Sequence, residues 1–446
     1  MLTALEQVNR FLWSILMPIL FGGVGLVLTF RLRFFQLRGM GLSLKHTFGA
    51  LVSFKKKGRG NASLAAVSTA LAGTVGTGSI TGLASAMALG GAGVLFWMWI
   101  ASFFGMILKY AEILLAHRFR KILPSGAFAG GPMYYLQRLP LGSVLSVLFS
   151  VFCILATFGI GNTVQANAIA SALQAQVGLS PVICGIALSL LCGIVCLGGI
   201  RRIGKVNETL VPVMTLLYVV ACLCALLPRF NRLPALFSLI LRSAFRPTAA
   251  LAGLGGYGLL RVMTLGLSRG VFASEAGLGS AAMAHGTSRE ADSAREGLWG
   301  IFEVFFTTVV MATLTGLVLL EADLWSTGLN ATALSIASFE ALLPRFGGLT
   351  VIFSTVLFAL SSLFGWAYYG ESAVTYLGGK EGSAVLCYRV FYLVAVFFGA
   401  VCAMESVWTL SELANALMAI PNLLALLFLS RKTVELTKTE FPEKFR

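Results

Sequence analysis

The feature that most constrains this chain is a series of apolar runs, each roughly 20 residues long, separated by short basic segments. Because an α-helix of about 20 residues crosses a hydrocarbon core about 30 Å thick, each run is long enough to span a bilayer. Only 11% of the residues are charged, and the mean hydropathy is +0.87, so the polar side chains are too few to cover a water-soluble surface. We therefore predict an all-α membrane protein with about eleven transmembrane helices, rather than a barrel.

The distribution of basic residues predicts the orientation of these helices. If the N-terminus is outside, the cytoplasmic segments hold 24 of the 33 Lys and Arg residues. This bias follows the positive-inside rule, so the net charge of +15 does not indicate a nucleic-acid partner. We predict a multi-pass protein of the cell membrane (inner or plasma) with a cytoplasmic C-terminus and the lipid bilayer as its environment. The first run, residues 11–30, is expected to be a retained helix followed by a basic loop.

A glycine-rich stretch, residues 72–82, interrupts the second apolar run with four glycines and three threonines. Glycine costs about 1 kcal/mol relative to alanine inside a helix, and backbone groups freed in lipid need other partners. A broken helix is tolerated at membrane depth where its amides and carbonyls line a cavity. The stretch therefore predicts a helix break that forms a binding site.

The seventh run has a second glycine-rich interruption, residues 270–279, with Glu275 at its centre. A carboxylate there either bonds the free amides of the broken backbone or contacts the substrate, and we favour the first role. Each break opens a block of five runs, and since five is odd, the two blocks enter the membrane from opposite sides. This pattern is typical of an inverted repeat with a binding site where the two breaks meet.

The predicted organisation has five parts. They are an N-terminal extra helix and basic cytoplasmic loop (1–60), a first five-helix repeat (61–228), an external amphipathic loop (229–247), a second five-helix repeat (248–430) and a basic cytoplasmic tail (431–446).

The ninth run contains the residues predicted to bind a cation. Ser361 and Ser362 are adjacent hydroxyls in mid-helix, and sodium prefers such oxygens together with backbone carbonyls, here those near Ala72 and Val75. One turn later on the same face, Trp366 is expected to limit the size of the substrate. The predicted substrate is a compact zwitterion whose carboxylate binds the helix amides of the first break.

Other polar residues in the helices receive more ordinary interpretations. Lys109 and Glu112 are expected to pair at i, i+3, and Tyr369 to pack helices. Thr157, Gly161 and Gln165 recur every four residues and are expected to share one face. The sequence contains no phosphate loop, nucleophile elbow or clustered metal ligands, so we predict neither an enzyme nor a cofactor beyond co-transported sodium.

Several motifs make the chain similar to the alanine or glycine:cation symporter family. They include Thr74-Val-Gly-Thr-Gly78, Phe96-Trp-Met-Trp99, Gly130-Gly-Pro-Met-Tyr-Tyr135, Phe158-Gly-Ile-Gly-Asn162, Glu275-Ala-Gly-Leu-Gly-Ser280 and Ala416-Leu-Met-Ala-Ile-Pro-Asn422. The resemblance implies a leucine-transporter-type fold, with one extra helix before the five-plus-five repeat, and sodium-coupled uptake of alanine or glycine. It implies substrate contacts at Thr77, Gly78, Gln165 and Trp366, and sodium contacts at Ser361 and Ser362.

Two positions depart from the family pattern. Ser79 and Ser274 stand where the family has asparagine, so a hydroxyl replaces an amide in each break. With Gly277 they complete the predicted substrate-binding residues, whereas Glu275, Phe158 and Tyr369 are predicted to be structural or gating residues. The alternatives are a proton-coupled or altered-substrate carrier of a related zwitterion, or a ligand sensor without transport. The oligomeric state stays open, with a monomer as one possibility.

Overall fold

The computed structural model describes residues 2–57, 62–124, 126–246, 256–329, 331–378, 382–402 and 405–445. Nearly all of these residues are helical. Within the described ranges the strands are two residues each, β1 (Lys121–Ile122) and β2 (Phe128–Ala129), paired antiparallel. The prediction of an all-α protein is therefore confirmed.

The described part of the first half contains thirteen α-helices, several of them short. They are α1 (Leu2–Phe11), α2 (Met17–Arg31), α3 (Phe35–Arg38), α4 (Met40–Lys57), α5 (Ala62–Thr74), α6 (Thr81–Gly90), α7 (Val94–Arg118), α8 (Pro132–Leu136), α9 (Gly142–Phe158), α10 (Val164–Val177), α11 (Pro181–Cys196), α12 (Gly199–Leu226) and α13 (Leu233–Phe245).

The described part of the second half contains the remaining α-helices. They are α14 (Gly256–Ser274), α15 (Ser280–His285), α16 (Ser293–Val304), α17 (Ala312–Ala322), α18 (Ala331–Leu342), α19 (Gly347–Gly378), α20 (Ser383–Val401), α21 (Glu405–Phe428) and α22 (Ser430–Glu440). Three π-helical turns each join two α-helices into one continuous rod. The turn Leu12–Leu16 joins α1 to α2, Gly159–Thr163 joins α9 to α10, and Phe305–Met311 joins α16 to α17.

Eight helical rods in the described ranges are long and apolar enough to cross a membrane. They are Leu5–Arg31, Val94–Arg118, Gly142–Val177, Gly199–Phe245, Ser293–Ala322, Gly347–Gly378, Ser383–Val401 and Thr409–Phe428. Shorter apolar helices occupy Ala65–Thr74, Pro181–Cys196 and Ala331–Leu342. The chain is therefore a multi-pass membrane protein, while the count of eleven crossings stays a prediction.

The basic segment after the first crossing differs from the predicted loop, since most of it is helical in α3 and α4. Ser43 of α4 is fully buried, and its hydroxyl donates to the carbonyl of Leu298 in α16 at 2.7 Å. The loop prediction was wrong because it considered the positive charges and not the apolar face that packs on α16.

Helix α7 lies at the centre of the bundle and approaches two neighbours at backbone distance. A Cβ on Gly300 of α16 would lie 2.8 Å from the carbonyl carbon of Lys109. A Cβ on Gly270 of α14 would lie 2.5 Å from the Cβ of Ala101. Such contacts need glycine, since a side chain there would force the helices apart. They bring the middle of α7 against α16 and against α14, the helix that leads into the second break.

Candidate functional site

The first helix break separates α5 from α6. After Thr74 the backbone leaves the helix, Gly76 is extended (φ −105°, ψ −170°), and one 3₁₀ turn, Thr77–Ser79, precedes α6. A Cβ on Gly76 would lie 2.7 Å from the Ser362 hydroxyl oxygen, so the break packs closely on α19 only with glycine at this position.

The second break separates α14 from α15 and depends on left-handed backbone conformations. Glu275, Gly277 and Gly279 have φ values of 53°, 82° and 77°. Glu275 adopts the left-handed backbone conformation although it is not a glycine, which is sterically unfavourable. Its carboxylate accepts a hydrogen bond from the Ser280 hydroxyl at 2.7 Å. The carboxylate therefore bridges the end of α14 to the first residue of α15.

Both breaks face one cavity. Of the residues predicted from the sequence, those that line it are Thr77, Gly78, Gln165, Glu275 and Trp366. The other side chains on its wall include Thr74, Thr81, Ile160, Val164, Arg269, Phe272, Leu278 and Asn415. The wall thus combines an aromatic and aliphatic surface with a few polar groups, as small-molecule sites do.

Gln165 reaches the first break from α10. Its Oε1 accepts from the Thr77 hydroxyl at 3.0 Å, and its Nε2 donates to the Ile160 carbonyl at 3.1 Å. Two turns earlier, beyond the π-helical turn, Thr157 lies beside Gly370 of α19 and accepts from the Tyr388 hydroxyl at 3.3 Å. Thr157 and Gly161 face Gly370 and Trp366 of α19, and Gln165 lies with Trp366 on the cavity wall, so the three residues share the face towards α19 as expected.

Trp366 forms the wall of the cavity on α19. It is buried, lies against Gly161 and meets the ring of Tyr369 edge to face with 5.5 Å between centroids. Tyr369 packs in turn on Gly73, where a Cβ would lie 2.5 Å from its hydroxyl oxygen. These two aromatic residues connect α19 to the first break and to the π-helical turn.

The predicted cation ligands converge on one backbone carbonyl. The hydroxyls of Ser361 and Ser362 lie 3.3 and 3.2 Å from the carbonyl oxygen of Ala72, and both serines are buried. Ser361 also donates to the Phe358 carbonyl at 2.8 Å. Val75 is buried next to this group, and its amide donates to the Leu71 carbonyl at 2.6 Å. The cluster provides only oxygen ligands, which suit a hard monovalent cation.

Some predicted residues are not on the cavity wall. Ser79 is fully buried, and its hydroxyl has no partner among the described residues. Ser274 turns its hydroxyl to the Gly270 carbonyl of its own helix at 2.8 Å. The ring of Phe158 packs edge to face against the ring of Tyr388, with 5.6 Å between centroids. It lies at a separate groove between α9 and α20.

Gly277 also faces away from the cavity, towards a separate buried polar group. Its carbonyl accepts from Asn422 Nδ2 at 3.0 Å, and the same amide nitrogen donates to Glu112 Oε1 at 2.6 Å. Tyr135 donates to the Asn422 side-chain oxygen. Glu112 is thus bound to α21 and to the second break rather than to Lys109.

Lys109 makes contacts that the sequence analysis did not predict. Its Nζ lies 2.8 Å from the Thr74 hydroxyl, 2.8 Å from the Ser274 carbonyl oxygen and 3.1 Å from Glu303 Oε2. The expected pair with Glu112 was wrong, because helix packing places Glu303 of α16 against the ammonium. An ionisable residue within an apolar membrane helix indicates a functional role. By this criterion the sequence points to Glu303 as clearly as to Lys109.

A chain of buried charges continues from Glu303. His285 of α15 lies between two carboxylates, with Nε2 at 2.9 Å from Glu303 Oε1 and Nδ1 at 2.6 Å from Glu296 Oε1. Ser288 donates to the other oxygen of Glu296 at 2.8 Å. Both carboxylate partners of His285 come from α16, 11 and 18 residues further along the chain.

Arg269 and Asn415 are further wall residues that the sequence analysis missed. Arg269 lies 4.0 Å from Glu412 Oε1, and both side chains are partly exposed. Asn415, one turn of α21 further on, is fully buried, and neither amide atom has a partner among the described residues. An unpaired buried amide on a cavity wall is available to a ligand.

The fold and the site together define a class, the multi-pass helical membrane transporters. A solved manganese transporter from Eremococcus coleocola has a similar fold, with a TM-score of 0.54 at 13% identity over 85% of this chain and 84% of that one. At this identity the likeness shows the fold alone.

The chain belongs to the sodium:alanine symporter family, whose profile matches residues 1–445. It is 41% identical over 441 residues to the sodium/alanine symporter AgcS of Methanococcus maripaludis, covering 97% of this chain and 96% of that one. It is also 33% identical over 430 residues to the probable sodium/glutamine symporter GlnT of Bacillus subtilis, covering 95% and 87%. The resemblance read from the motifs is confirmed, and the family and its relatives indicate a transporter for cation-coupled amino acid symport.

Proposed function

We propose that this protein couples sodium entry to the uptake of a small neutral amino acid, alanine or glycine. The observation that carries the proposal is that both helix breaks face one cavity, while two hydroxyls converge on a carbonyl beside the first break. The 41% identical sodium/alanine symporter supports sodium as the ion and alanine as the amino acid. The substrate and the ion would thus bind the same broken helix.

The amino acid binds between the breaks in this proposal. Its carboxylate accepts from free amides at the start of α6, where the helix dipole also favours negative charge. Thr77, Gly78 and Gln165 contact its polar end, and Trp366 limits the length of its side chain. Ser79, Ser274 and Gly277 shape the two breaks from behind this wall.

Sodium binds Ser361, Ser362 and the carbonyls of Ala72 and Val75. In the present arrangement the two hydroxyls donate to the Ala72 carbonyl, so an arriving cation exchanges these hydrogen bonds for direct oxygen contacts. Each sodium that enters along the field contributes about 2.3 kcal/mol per 100 mV of membrane potential. This energy is sufficient to concentrate a zwitterion that carries no net charge.

Alternating access follows from the two predicted repeats, 61–228 and 248–430. We propose eleven crossings with the N-terminus outside, and repeats of opposite orientation that move against each other around the breaks. Glu275 and Tyr369 hold the breaks to their neighbours, and Phe158 contacts the α20 surface that has to slide during the motion.

A second candidate substrate is an amino acid with a side-chain amide, such as glutamine. The unpaired amide of Asn415 on the cavity wall favours it, because an amide pairs with another amide through one donor and one acceptor. The similarity to the probable sodium/glutamine symporter supports the same candidate.

The test is uptake of radiolabelled alanine into proteoliposomes with an inward sodium gradient or with choline in its place. We expect accumulation only with sodium, and inhibition by unlabelled glycine. Uptake that is indifferent to the gradient contradicts sodium coupling, and a proton gradient applied in choline then tests the proton-coupled alternative. Binding of alanine without any flux identifies a sensor. Inhibition by glutamine that Asn415→Leu removes, while inhibition by glycine persists, identifies the second substrate.

A further inference from the structure

Lys109 is the one buried ammonium that contacts both helix breaks within the described residues. Three oxygens surround its Nζ: the Thr74 hydroxyl, the Ser274 carbonyl and Glu303 Oε2, at 2.8, 2.8 and 3.1 Å. We call these three oxygens the ammonium cage. The side chains of Lys109 and Glu303 are both fully buried.

The position of the cage in the fold is specific. Thr74 is the last residue of α5 and Ser274 is the last residue of α14, so each broken helix offers an oxygen at the residue where it stops. Glu303 comes from α16, and the ammonium comes from α7. Four helices therefore meet at one positive charge, and this charge holds the ends of the two breaks in register.

The chemistry of the cage is that of a cation site. A hydroxyl, a backbone carbonyl and a carboxylate are the oxygens that hard cations take in proteins. The cage is separate from the proposed sodium site, since it contains neither Ala72 nor the two serines of α19. It also favours a positive charge, because Glu303 is fully buried and its Oε2 faces the cage, where a carboxylate without a cation would be costly.

We propose that the Lys109 ammonium is a built-in cation that occupies a second monovalent-cation site between the two breaks. The attached charge stays in the cage throughout the cycle, so only the site at Ser361 and Ser362 exchanges sodium. Shortening this side chain converts the cage into a sodium site, whereas filling it with a neutral side chain of similar length does not.

The proposal predicts different results for two neutral replacements of Lys109. Lys109→Ser leaves the cage open with Oε2 of Glu303 without its ammonium, and sodium enters to replace that charge. Lys109→Met fills much of the same space with an apolar chain and excludes the ion. Both variants are made in a Ser361→Ala, Ser362→Ala background, which removes the proposed sodium site and leaves the cage as the remaining one.

The experiment is thermal unfolding of the purified full-length variants in sodium chloride or choline chloride at equal ionic strength, without amino acid. A ligand that binds only the folded protein raises its Tm. We expect Lys109→Ser to show a sodium-specific rise of several degrees that saturates, and Lys109→Met to show none. The control is Lys109→Ser with Glu303→Gln, which keeps the open space but loses the negative charge, and we expect no rise.

Other results overturn the proposal. If the Lys109→Ser and Lys109→Met variants show the same sodium-specific change in Tm, or both show none, the cage binds no sodium. A serine variant that folds only in sodium chloride supports the proposal, and one that folds in neither salt overturns it, because saturating sodium should replace the lost charge. Because the measurement uses no amino acid and no transport, its result does not depend on whether the proposed transport function is correct.

Discussion

The hydroxyl of Thr77 donates to Oε1 of Gln165 at 3.0 Å and so joins the first helix break to α10. Since Gln165 also donates to the Ile160 carbonyl at 3.1 Å, its amide is held at both ends and faces the cavity in one orientation. The break and the π-helical turn therefore fix the shape of the cavity together.

Removal of this hydrogen bond should weaken substrate binding. Thr77→Val keeps the shape of the side chain but leaves Gln165 Oε1 without its donor. A net loss of about 1 kcal/mol corresponds to a rise in the KM for alanine of about fivefold. Thr77→Ser, which keeps the hydroxyl, is the control and should transport with a nearly unchanged KM. An unchanged KM in the valine variant would mean that the bond does not position the substrate contact.

Loss of the converging hydroxyls should change the sodium dependence of transport. Ser361→Ala with Ser362→Ala removes two predicted ligands, and we expect the sodium concentration for half-maximal uptake to rise at least about tenfold. The matched control is Ser354→Ala in the same helix, where a buried hydroxyl has no partner among the described residues. If both variants keep the wild-type sodium curve, the ion binds elsewhere.

Gly161→Ala should disturb the aromatic wall, because an added Cβ collides with Trp366. We expect a loss of stability of about 1 to 3 kcal/mol and a sharp fall in uptake. In contrast, a Cβ at Gly193 in α11 would lie at an ordinary 3.5 Å from Leu393, so Gly193→Ala should be tolerated. Thermal unfolding and alanine uptake of both variants check this prediction, and partial rescue by Trp366→Phe would identify the collision as the cause.

The predicted orientation can be tested with a membrane-impermeant thiol reagent on intact cells. The exposed cysteines Cys224, Cys387 and Cys402 are first replaced by serine. A cysteine at exposed Ser326, between α17 and α18, should then react from outside. A cysteine at exposed Lys121 should react only after the membrane is opened. The reverse pattern would place the N-terminus in the cytoplasm.

The predictable parts of the fold depend on local chemistry. Runs of apolar residues indicate helices wherever they occur, because backbone groups in lipid have to bond within the segment. The segment predicted as an amphipathic loop, 229–247, contains the helix Leu233–Phe245, with one proline after its first residue and another just beyond its end. The glycines likewise indicated both breaks, because glycine is unfavourable in the interior of a helix.

The parts that were missed depend on which helices meet. The positions of Lys109 and Glu112 suggest a pair three residues apart, but packing through Gly300 brings Glu303 closer to the ammonium. The π-helical turn Gly159–Thr163 leaves no clear trace in residue spacing. The hydroxyl of Ser274 faces its own helix because a carbonyl there lies within its reach.

The sequence by itself determined that this is a helical membrane protein of the sodium:alanine symporter family with two broken helices, since length, polarity and glycine act locally. Only the tertiary structure decided that both breaks face one cavity and that Lys109 joins them. The physical reason is that a buried charge binds whichever oxygens the packed helices place around it. Those oxygens come from Thr74, Ser274 and Glu303, far apart in the chain.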